Sequence, residues 1–463
     1  MDATDLARLQ FASTSIYHFF FVPVTIGLAF LMAILHTKWY RSREPRHEKL
    51  TRFFGTLLII NVAIGVVTGL VQEFQFGMNW SAYSIFVGDV FGAPLAMEGL
   101  AAFFLESTFL GLWVFGWKVL PRRIHLLSAW LVAVGAMLSA AFIMAANSWM
   151  QHPVGYTTDK TTGRPVLSSF LDLFTNEVFI WGYIHVILAS LVTGAVVMLA
   201  VSAWQLRRGQ VAFKTSAVLS LVVLLPSVAL ALGVGSHLGV IEATYQPMKI
   251  SAAEAQWETC QPCSFSLLQI GGFTSSEETP TKILEVPHLL SLLATGTWDG
   301  EVAGLNELQA QDEATYGAGD YVPDVRLQYW SMRVMAYIGT LFFLFGAWGL
   351  WLAVRRKLPT SKVFLFVATW VVPLLFVMNT AGWLLTESGR QPWIVQGLMK
   401  TSDGVSPSVS STELILSLAA FYAIYLLLIV IDVILMLRFA RKSLDAPEEE
   451  SADDDVDAPV LAY

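Results

Sequence analysis

Glu98 and Glu106 lie eight residues apart in one apolar stretch, "APLAMEGLAAFFLEST". Carboxylates are costly inside a membrane, and where they occur they usually mark a pathway, a cofactor or a buried pair. On a regular α-helix Glu106 would be rotated by about 80° from Glu98 and would lie about 12 Å deeper. With Ser107 beside it and Ser139 on the next apolar segment, Glu106 could carry protons from the cytoplasmic side towards a site near Glu98. The alternative is a protonated carboxyl group that is hydrogen-bonded to a neighbouring helix.

Four other apolar segments each carry one side chain that could bind a metal, namely His18, His185, Met335 and Glu387. Like Glu98, each lies within about 12 Å of the expected outward end of its segment. Imidazole and thioether groups are common axial ligands of haem iron, and a flat apolar macrocycle fits between helices. The pattern predicts haem ligands near the outer face. Taken singly, each side chain could instead be a packing or hydrogen-bonding residue between helices.

Three arginines, Arg8, Arg333 and Arg390, lie close to the outward ends of apolar segments. A guanidinium group can hold a haem propionate with two parallel hydrogen bonds. These arginines are therefore candidate haem-supporting residues. The alternative is that they extend to the membrane interface without binding a cofactor.

The elements that must position these residues are membrane-spanning helices. The 463 residues are 55% hydrophobic and 14% charged, whereas soluble domains carry about 25% charged residues. We therefore expect an all-α integral membrane protein without a nucleic-acid partner. No cleavable signal peptide is evident, so the first segment should remain. Segments long enough to cross a bilayer, which takes about 20 residues, cover about 12–37, 53–72, 93–117, 125–146, 177–205, 215–237, 331–354, 363–385 and 412–437.

The basic residues give these nine segments an orientation. Alternate connections hold 19 of the 28 Lys and Arg residues, and the positive-inside rule places those connections in the cytoplasm. The amino terminus then faces out and the carboxyl terminus faces the cytoplasm. The predicted domains are 1–237 with six helices, the outer loop 238–330, 331–442 with three helices, and the disordered acidic tail 443–463.

The two cysteines of the chain, Cys260 and Cys263, stand in "TCQPCSF" within the predicted outer loop. They could form a disulfide or remain two free thiols. The oxidising compartment outside the membrane favours the disulfide.

Five stretches of the sequence closely resemble one family. They are "RLQFASTSIYHFFFVPVTIGL", "MEGLAAFFLEST", "ANSWMQHPVGY", "QPMKISAAEAQWET" and "TESGRQPW". In this order on a nine-helix frame they resemble subunit I of the cytochrome bd-type quinol oxidases. The resemblance extends over nearly the whole chain up to the acidic tail. It implies haem-binding helical bundles in a multi-pass protein of the bacterial cytoplasmic membrane.

The resemblance assigns roles to the candidate iron ligands. It implies that His185 and Met335 are the axial ligands of a low-spin haem b, with Arg333 beside it. His18 and Glu387 each resemble the ligand of one high-spin haem. The implied cofactors are two haems b, one low-spin and one high-spin, together with haem d or a third haem b. Which high-spin position holds haem d stays open.

Four further residues take roles from the same resemblance. Glu98 resembles the carboxylate close to the oxygen-reducing haem. Lys249 and Glu254 match residues at the start of the family's quinol-binding loop, and a carboxylate with a nearby cation can accept a proton from a quinol. Without the resemblance, a surface ion pair would be the preferred interpretation of this pair. Trp383, one helical turn before Glu387, is a candidate for a position between haems.

The implied activity is oxidation of membrane quinol, either menaquinol or ubiquinol, with reduction of dioxygen to water. Protons would leave on the outer side and enter from the cytoplasm, which separates charge without a pump. Implied partners are subunit II and small single-helix subunits. One alternative is a proton-coupled transporter, although such transporters commonly show an internal repeat and this chain shows none that is convincing. Another is a haem b electron-transfer subunit without oxygen chemistry, which would leave His18, Glu98 and Glu387 without a task.

Overall fold

The computed structural model describes residues 2–444, so the predicted acidic tail lies outside the described residues from position 445 onward. The helices are α1 (Ala3–Ser42), α2 (Pro45–Met78), α3 (Ser81–Met97), α4 (Phe104–Phe115), α5 (Arg122–Gln151), α6 (Phe170–Thr175), α7 (Glu177–Arg207), α8 (Lys214–Tyr245), α9 (Pro247–Ala253), α10 (Leu289–Thr295), α11 (Leu305–Tyr316), α12 (Val325–Val354), α13 (Lys362–Trp370), α14 (Val372–Ser388), α15 (Thr401–Gly404) and α16 (Ser411–Ala440). A π-helix, Glu98–Phe103, connects α3 to α4.

Within the described residues, eight helical units are long and apolar enough to cross a membrane, and the bent pair α13 and α14 makes a ninth. These nine units correspond to the nine apolar segments. The helices extend beyond the apolar runs, most clearly where α1 begins at Ala3 and α3 at Ser81. His18, Glu98 and Met335 therefore lie about 22, about 25 and about 15 Å from the predicted outward ends of their helices. The expected 12 Å is wrong for these three residues, because hydropathy marks only the apolar part of a longer helix.

Close helix packing builds the centre of the molecule. A Cβ atom on Gly27 of α1 would lie 2.2 Å from the Ser190 carbonyl oxygen and 2.6 Å from the Gly194 nitrogen of α7. The two backbones touch at this crossing, as small residues allow between helices in a membrane. Apolar side chains of α1, α2, α7, α8 and α12 form the largest buried cluster around it. This cluster fixes the helices that carry His18, His185 and Met335.

The π-helix changes the relation between the two acidic residues of the third spanning unit. A π-helix closes hydrogen bonds to i+5 and has more residues per turn than an α-helix. Each residue therefore advances by a smaller angle and a smaller rise. Because Glu98 begins the π-helix and Glu106 follows it, Glu106 comes nearer to the face of Glu98 and lies less deep than a regular α-helix predicts.

The predicted outer loop, 238–330, is shorter in the structure, because α8 and α12 both extend into it. It spans residues 246–324 and has its own secondary structure. The strand Phe265–Ile270 pairs antiparallel with the strand Thr281–Val286, with Phe265 opposite Val286. Cys260 and Cys263 form a disulfide, and the Cys260 backbone bridges to Val302. The earlier hairpin Tyr156–Thr158 with Pro165–Leu167 and the later hairpin Trp393–Val395 with Met399–Lys400 complete the strands of the described residues.

Candidate functional site

The two acidic residues of the third spanning unit both lie against α5. Ser139 Oγ donates a hydrogen bond to Glu98 Oε1 at 2.6 Å. One turn earlier on α5, a Cβ atom on Gly135 would lie 3.0 Å from the Glu106 Cα. The structure therefore brings Glu98 and Ser139 together, and it places Glu106 against the same face of α5.

Ser107 does not join this pair. Its hydroxyl donates to the Phe104 carbonyl oxygen of its own helix at 3.3 Å. Glu106 and Ser107 instead line an apolar pocket of about 320 Å³ between α2 and α4. Neighbouring side chains on this side, including Leu100 and Phe104, are largely exposed. A carboxyl group on this side of α4 is therefore close to a surface that lipid or another protein must cover.

Each of three candidate ligands faces a glycine on the helix packed against it. A Cβ atom on Gly69 would lie 3.0 Å from the His18 Cε1, and one on Gly235 would lie 3.0 Å from the His185 Cε1. Larger residues at these glycines would push the imidazole rings out of place. His18 Nδ1 also has a hydrogen-bonding contact of 2.9 Å with Thr68 Oγ1, which fixes the orientation of its ring.

The third such ligand is Met335. A Cβ atom on Gly382 of α14 would lie 3.0 Å from the Met335 Sδ.

Among the described residues, the buried Nδ1 of His185 has no hydrogen-bond partner. Nδ1 is therefore free to bind a metal ion, and a metal-bound histidine commonly donates its other N–H to a carbonyl or carboxylate.

Glu387 and Trp383 connect α14 to the first helix and to α5. Arg390 Nη2 donates to Glu387 Oε2 at 2.7 Å, and Asn147 Nδ2 donates to Glu387 Oε1 at 2.7 Å. The Trp383 ring meets the Phe19 ring edge to face, with centroids 4.9 Å apart. Since Phe19 follows His18 and Trp383 precedes Glu387 by one helical turn, this contact joins the two helices that carry these candidate ligands.

Arg333 is almost fully buried, and both of its terminal nitrogens hold the outer loop. Nη1 and Nη2 donate to the two carboxylate oxygens of Glu254 at 3.0 and 2.7 Å, and Nη1 also donates to the Ala253 carbonyl oxygen at 2.6 Å. The guanidinium group lies 3.9 Å from the centroid of the Tyr329 ring. The candidate haem-supporting Arg333 and the candidate quinol residue Glu254 thus form one buried pair.

Lys249 and Glu254 are both buried, and they pair with different partners. Lys249 Nζ donates to Glu242 Oε2 and to Gln151 Oε1, each at 2.8 Å. Burial lowers the pKa of the Lys249 ammonium, and the Glu242 carboxylate acts in the opposite direction. Burial likewise raises the pKa of the Glu254 carboxyl, against the effect of Arg333. Lys249 and Glu254 are therefore not a surface ion pair on a loop.

The sequence interpretation missed Glu242, Gln151 and Asn147. Asn147 and Gln151 lie one helical turn apart in "ANSWMQ", and both are buried. Two amides at this spacing on an otherwise apolar helix were the available signal, because buried amides require partners. Of the predicted site residues, Arg8 is exposed near the start of α1.

The side chains present are of the types that would hold haem iron. The candidate ligands are single imidazole, thioether and carboxylate groups on different spanning helices, and the facing glycines leave room beside three of them. Arg390 keeps its buried Nε and Nη1 without hydrogen-bond partners among the described residues. These are free donors of the kind that a propionate would accept.

Comparisons with known proteins agree with this architecture. A family model described as cytochrome bd terminal oxidase subunit I matches residues 6–444. The chain is 43% identical to cytochrome bd ubiquinol oxidase subunit 1 of Bacillus subtilis (strain 168), over 95% of this chain and 94% of that protein. It is 37% identical to cytochrome bd-II ubiquinol oxidase subunit 1 of Escherichia coli (strain K12), over 97% and 98%. The solved bd oxidase from Geobacillus thermodenitrificans matches with a TM-score of 0.86 and 28% identity, over 95% of this chain and 98% of that one. The chain therefore belongs to the family of cytochrome bd terminal oxidase subunit I.

Proposed function

We propose that this chain is the haem-bearing subunit of a quinol:oxygen oxidoreductase, which oxidises a membrane quinol at its outer loop and reduces dioxygen to water. The observation that carries the proposal is that His18, His185 and Met335 each lie on a spanning helix opposite a glycine. These three side chains and Glu387 would hold two haems b and one haem d, or three haems b. When bound, the haems supply electron transfer and the iron at which oxygen is reduced.

The outer loop would bind the quinol through the buried charges at its base. A quinol releases two protons with its two electrons, so its site needs an acceptor for protons and a group that orients the hydroxyl. Glu254, fixed by Arg333, supplies a carboxylate with a raised pKa. Lys249 has three N–H donors, of which Glu242 and Gln151 take two. The third N–H can orient a quinol oxygen, and the released protons would leave on the outer side.

Glu106 and Glu98, which lie against α5, would deliver protons for water formation from the cytoplasmic side. Glu106 lies between the apolar pocket and α5, and Ser139 holds the carboxylate of Glu98. Glu98 would be the residue nearer the oxygen site. Proton uptake from one side and proton release on the other separates charge without pumping. The exposed surface beside Glu106 supports a covering partner, because a carboxyl group facing lipid is costly. That partner would be subunit II of the oxidase, with small single-helix subunits elsewhere.

The first experiment is a reduced-minus-oxidised absorption spectrum of the purified complex, repeated with carbon monoxide. We expect bands of b-type haem and a high-spin band that shifts on carbon monoxide. A chlorin band would identify haem d, whereas haem b alone with a carbon monoxide shift would keep the oxidase with a third haem b. A haem b spectrum without any carbon monoxide shift would instead support an electron-transfer subunit. No haem at all would contradict the proposal and favour a proton-coupled transporter.

A further inference from the structure

A row of hydrogen bonds leads from the outer loop to the end of α14, and we call it the amide chain. Lys249 Nζ donates to Gln151 Oε1 at 2.8 Å. Gln151 Nε2 donates to Asn147 Oδ1 at 2.8 Å, and Asn147 Nδ2 donates to Glu387 Oε1 at 2.7 Å. Lys249, Gln151 and Asn147 are only 2%, 3% and 9% exposed. Water therefore does not compete for these hydrogen bonds.

The two ends of the amide chain fix the direction of both amides. An ammonium group only donates hydrogen bonds, and a carboxylate only accepts them. Oε1 of Gln151 must therefore face Lys249, and Nδ2 of Asn147 must face Glu387. All three hydrogen bonds then point the same way, and aligned hydrogen bonds polarise one another where the dielectric constant is low. A change in the surroundings of Lys249 reaches the Glu387 carboxylate through two ordered groups.

A direct packing contact holds the same two elements together. A Cβ atom on Gly389 would lie 2.5 Å from the Lys249 Cγ, so glycine at this position lets the lysine pass the end of α14. The next residue, Arg390, donates to the second carboxylate oxygen of Glu387. Each end of the amide chain is therefore an ion pair, with Glu242 on Lys249 and Arg390 on Glu387. Neither end can move without disturbing the other.

We propose that Gln151 and Asn147 are positioning residues that couple the outer loop to the carboxylate of Glu387. They orient this carboxylate, and they make its surroundings depend on what the ammonium group of Lys249 contacts. Side-chain amides neither gain nor lose protons at neutral pH. The amide chain therefore orients and polarises the Glu387 carboxylate without conducting protons. The inference rests on the proposed function, since it takes Lys249 as a quinol contact and Glu387 as an iron ligand.

The test is a double-mutant cycle on the purified oxidase complex. The readout is the midpoint potential of the high-spin haem whose absorption is lost in Glu387→Ala. Lys249→Met removes one end of the amide chain, and Gln151→Met interrupts it without touching Glu387. We expect each substitution to lower the midpoint potential. A carboxylate that accepts weaker hydrogen bonds keeps more of its negative charge, and this charge stabilises ferric iron over ferrous iron. The double variant should show no shift beyond that of Gln151→Met alone.

Two further variants complete the test. Asn147→Leu should shift the potential in the same direction as Gln151→Met. Ser148→Ala is the matched control, since Ser148 is buried on the same helical turn and its hydroxyl has no partner within residues 2–444. Additive shifts in the double variant, or unchanged potentials in both amide variants, would overturn the inference. Absence of any haem signal from the unmodified complex would instead contradict the proposed function, so the two failures are distinguishable.

Discussion

Arg333 holds Glu254 of the outer loop through both of its terminal nitrogens. Its position near a helix end and beside Met335 suggested support of a haem. In the structure its two terminal nitrogens bind Glu254, and its guanidinium group lies over the Tyr329 ring. Its Nε has no partner among the described residues. The contacts favour a role in fixing the outer loop, with Nε as the one donor still open to a propionate.

Arg333→Lys separates these roles. Lysine keeps the charge but cannot form the two parallel hydrogen bonds to Glu254. Hydrogen bonds to charged groups contribute roughly 1.5–3 kcal/mol, so we expect the KM for quinol to rise about tenfold, with the haem spectrum unchanged. The measurement is steady-state quinol oxidation with a parallel absorption spectrum. Arg326→Lys, on the exposed first turn of α12, is the control. An unchanged KM with loss of the low-spin haem would return Arg333 to the haem.

Glu106→Gln tests the proton pathway. Glutamine has nearly the same shape but cannot take up and release a proton, and loss of an acid–base group typically costs about 10²-fold or more in rate. We expect oxygen reduction to slow by about 10²-fold while the haem spectrum is retained. Oxygen consumption by the purified complex is the measurement. Asp432→Asn is the control, because it removes a carboxyl group from a different spanning helix, α16, which packs on α1 and α2. Normal turnover in Glu106→Gln would remove this residue from the pathway.

Residue types in the candidate site were predictable from the sequence, and their partners were not. Charged and sulfur-containing side chains stand out in apolar segments, so His18, Met335 and Glu387 could be selected without a structure. The pairing of Lys249 with Glu242 and Gln151, in place of Glu254, depends on how a loop folds back over several helices. Local sequence carries no signal for that arrangement.

At the scale of elements, the number of spanning helices was predictable, and their ends and irregularities were less so. Hydropathy locates the part of a helix that lies in lipid, and α3 continues 12 residues before the predicted start at 93. No feature of composition or spacing in the sequence predicts the π-helix Glu98–Phe103. It therefore appears only in the structure, although it decides how the two carboxylates of this unit are related.

Gly235→Ala tests whether the helix opposite His185 leaves the space that a haem ligand needs. The added methyl group would lie 3.0 Å from the His185 Cε1 and 3.3 Å from Nδ1. We expect the ring to be displaced and the low-spin haem signal to be lost, while the protein still inserts into the membrane. A reduced-minus-oxidised spectrum measures this.

The matched control lies on the same helix. A Cβ atom on Gly233 would meet nothing within 4 Å, so Gly233→Ala reports the general effect of alanine in this helix, which is about 0.5–1 kcal/mol in favour of helix formation. This variant should retain the full spectrum. If both variants kept the low-spin haem, the space beside His185 would not be required for ligation.

At the scale of the whole molecule, much apolar surface is left uncovered by this chain. In the most apolar part of α16 only 11% of the residues are buried, and in the unit Ser81–Phe115 only 28% are buried. The central helix α1 has 67%. The helices that carry His18 and His185 form the interior, with 67% and 56% buried, whereas Glu106 lies on a peripheral unit. A partner subunit is therefore expected beside the proton pathway and away from the central helices.

The orientation of the whole molecule follows from the charge of its loops and can be measured directly. Lys160 is exposed in the turn of the first hairpin, which we predict to lie outside, and Lys357 is exposed in a basic connection between α12 and α13. The native cysteines are joined in a disulfide, so new thiols can be labelled selectively. In intact cells a membrane-impermeant maleimide should label Lys160→Cys and leave Lys357→Cys unlabelled until the membrane is opened. The reverse pattern would place the quinol loop in the cytoplasm. Release and uptake of protons would then exchange sides, and the charge separation that we propose would have the opposite sign.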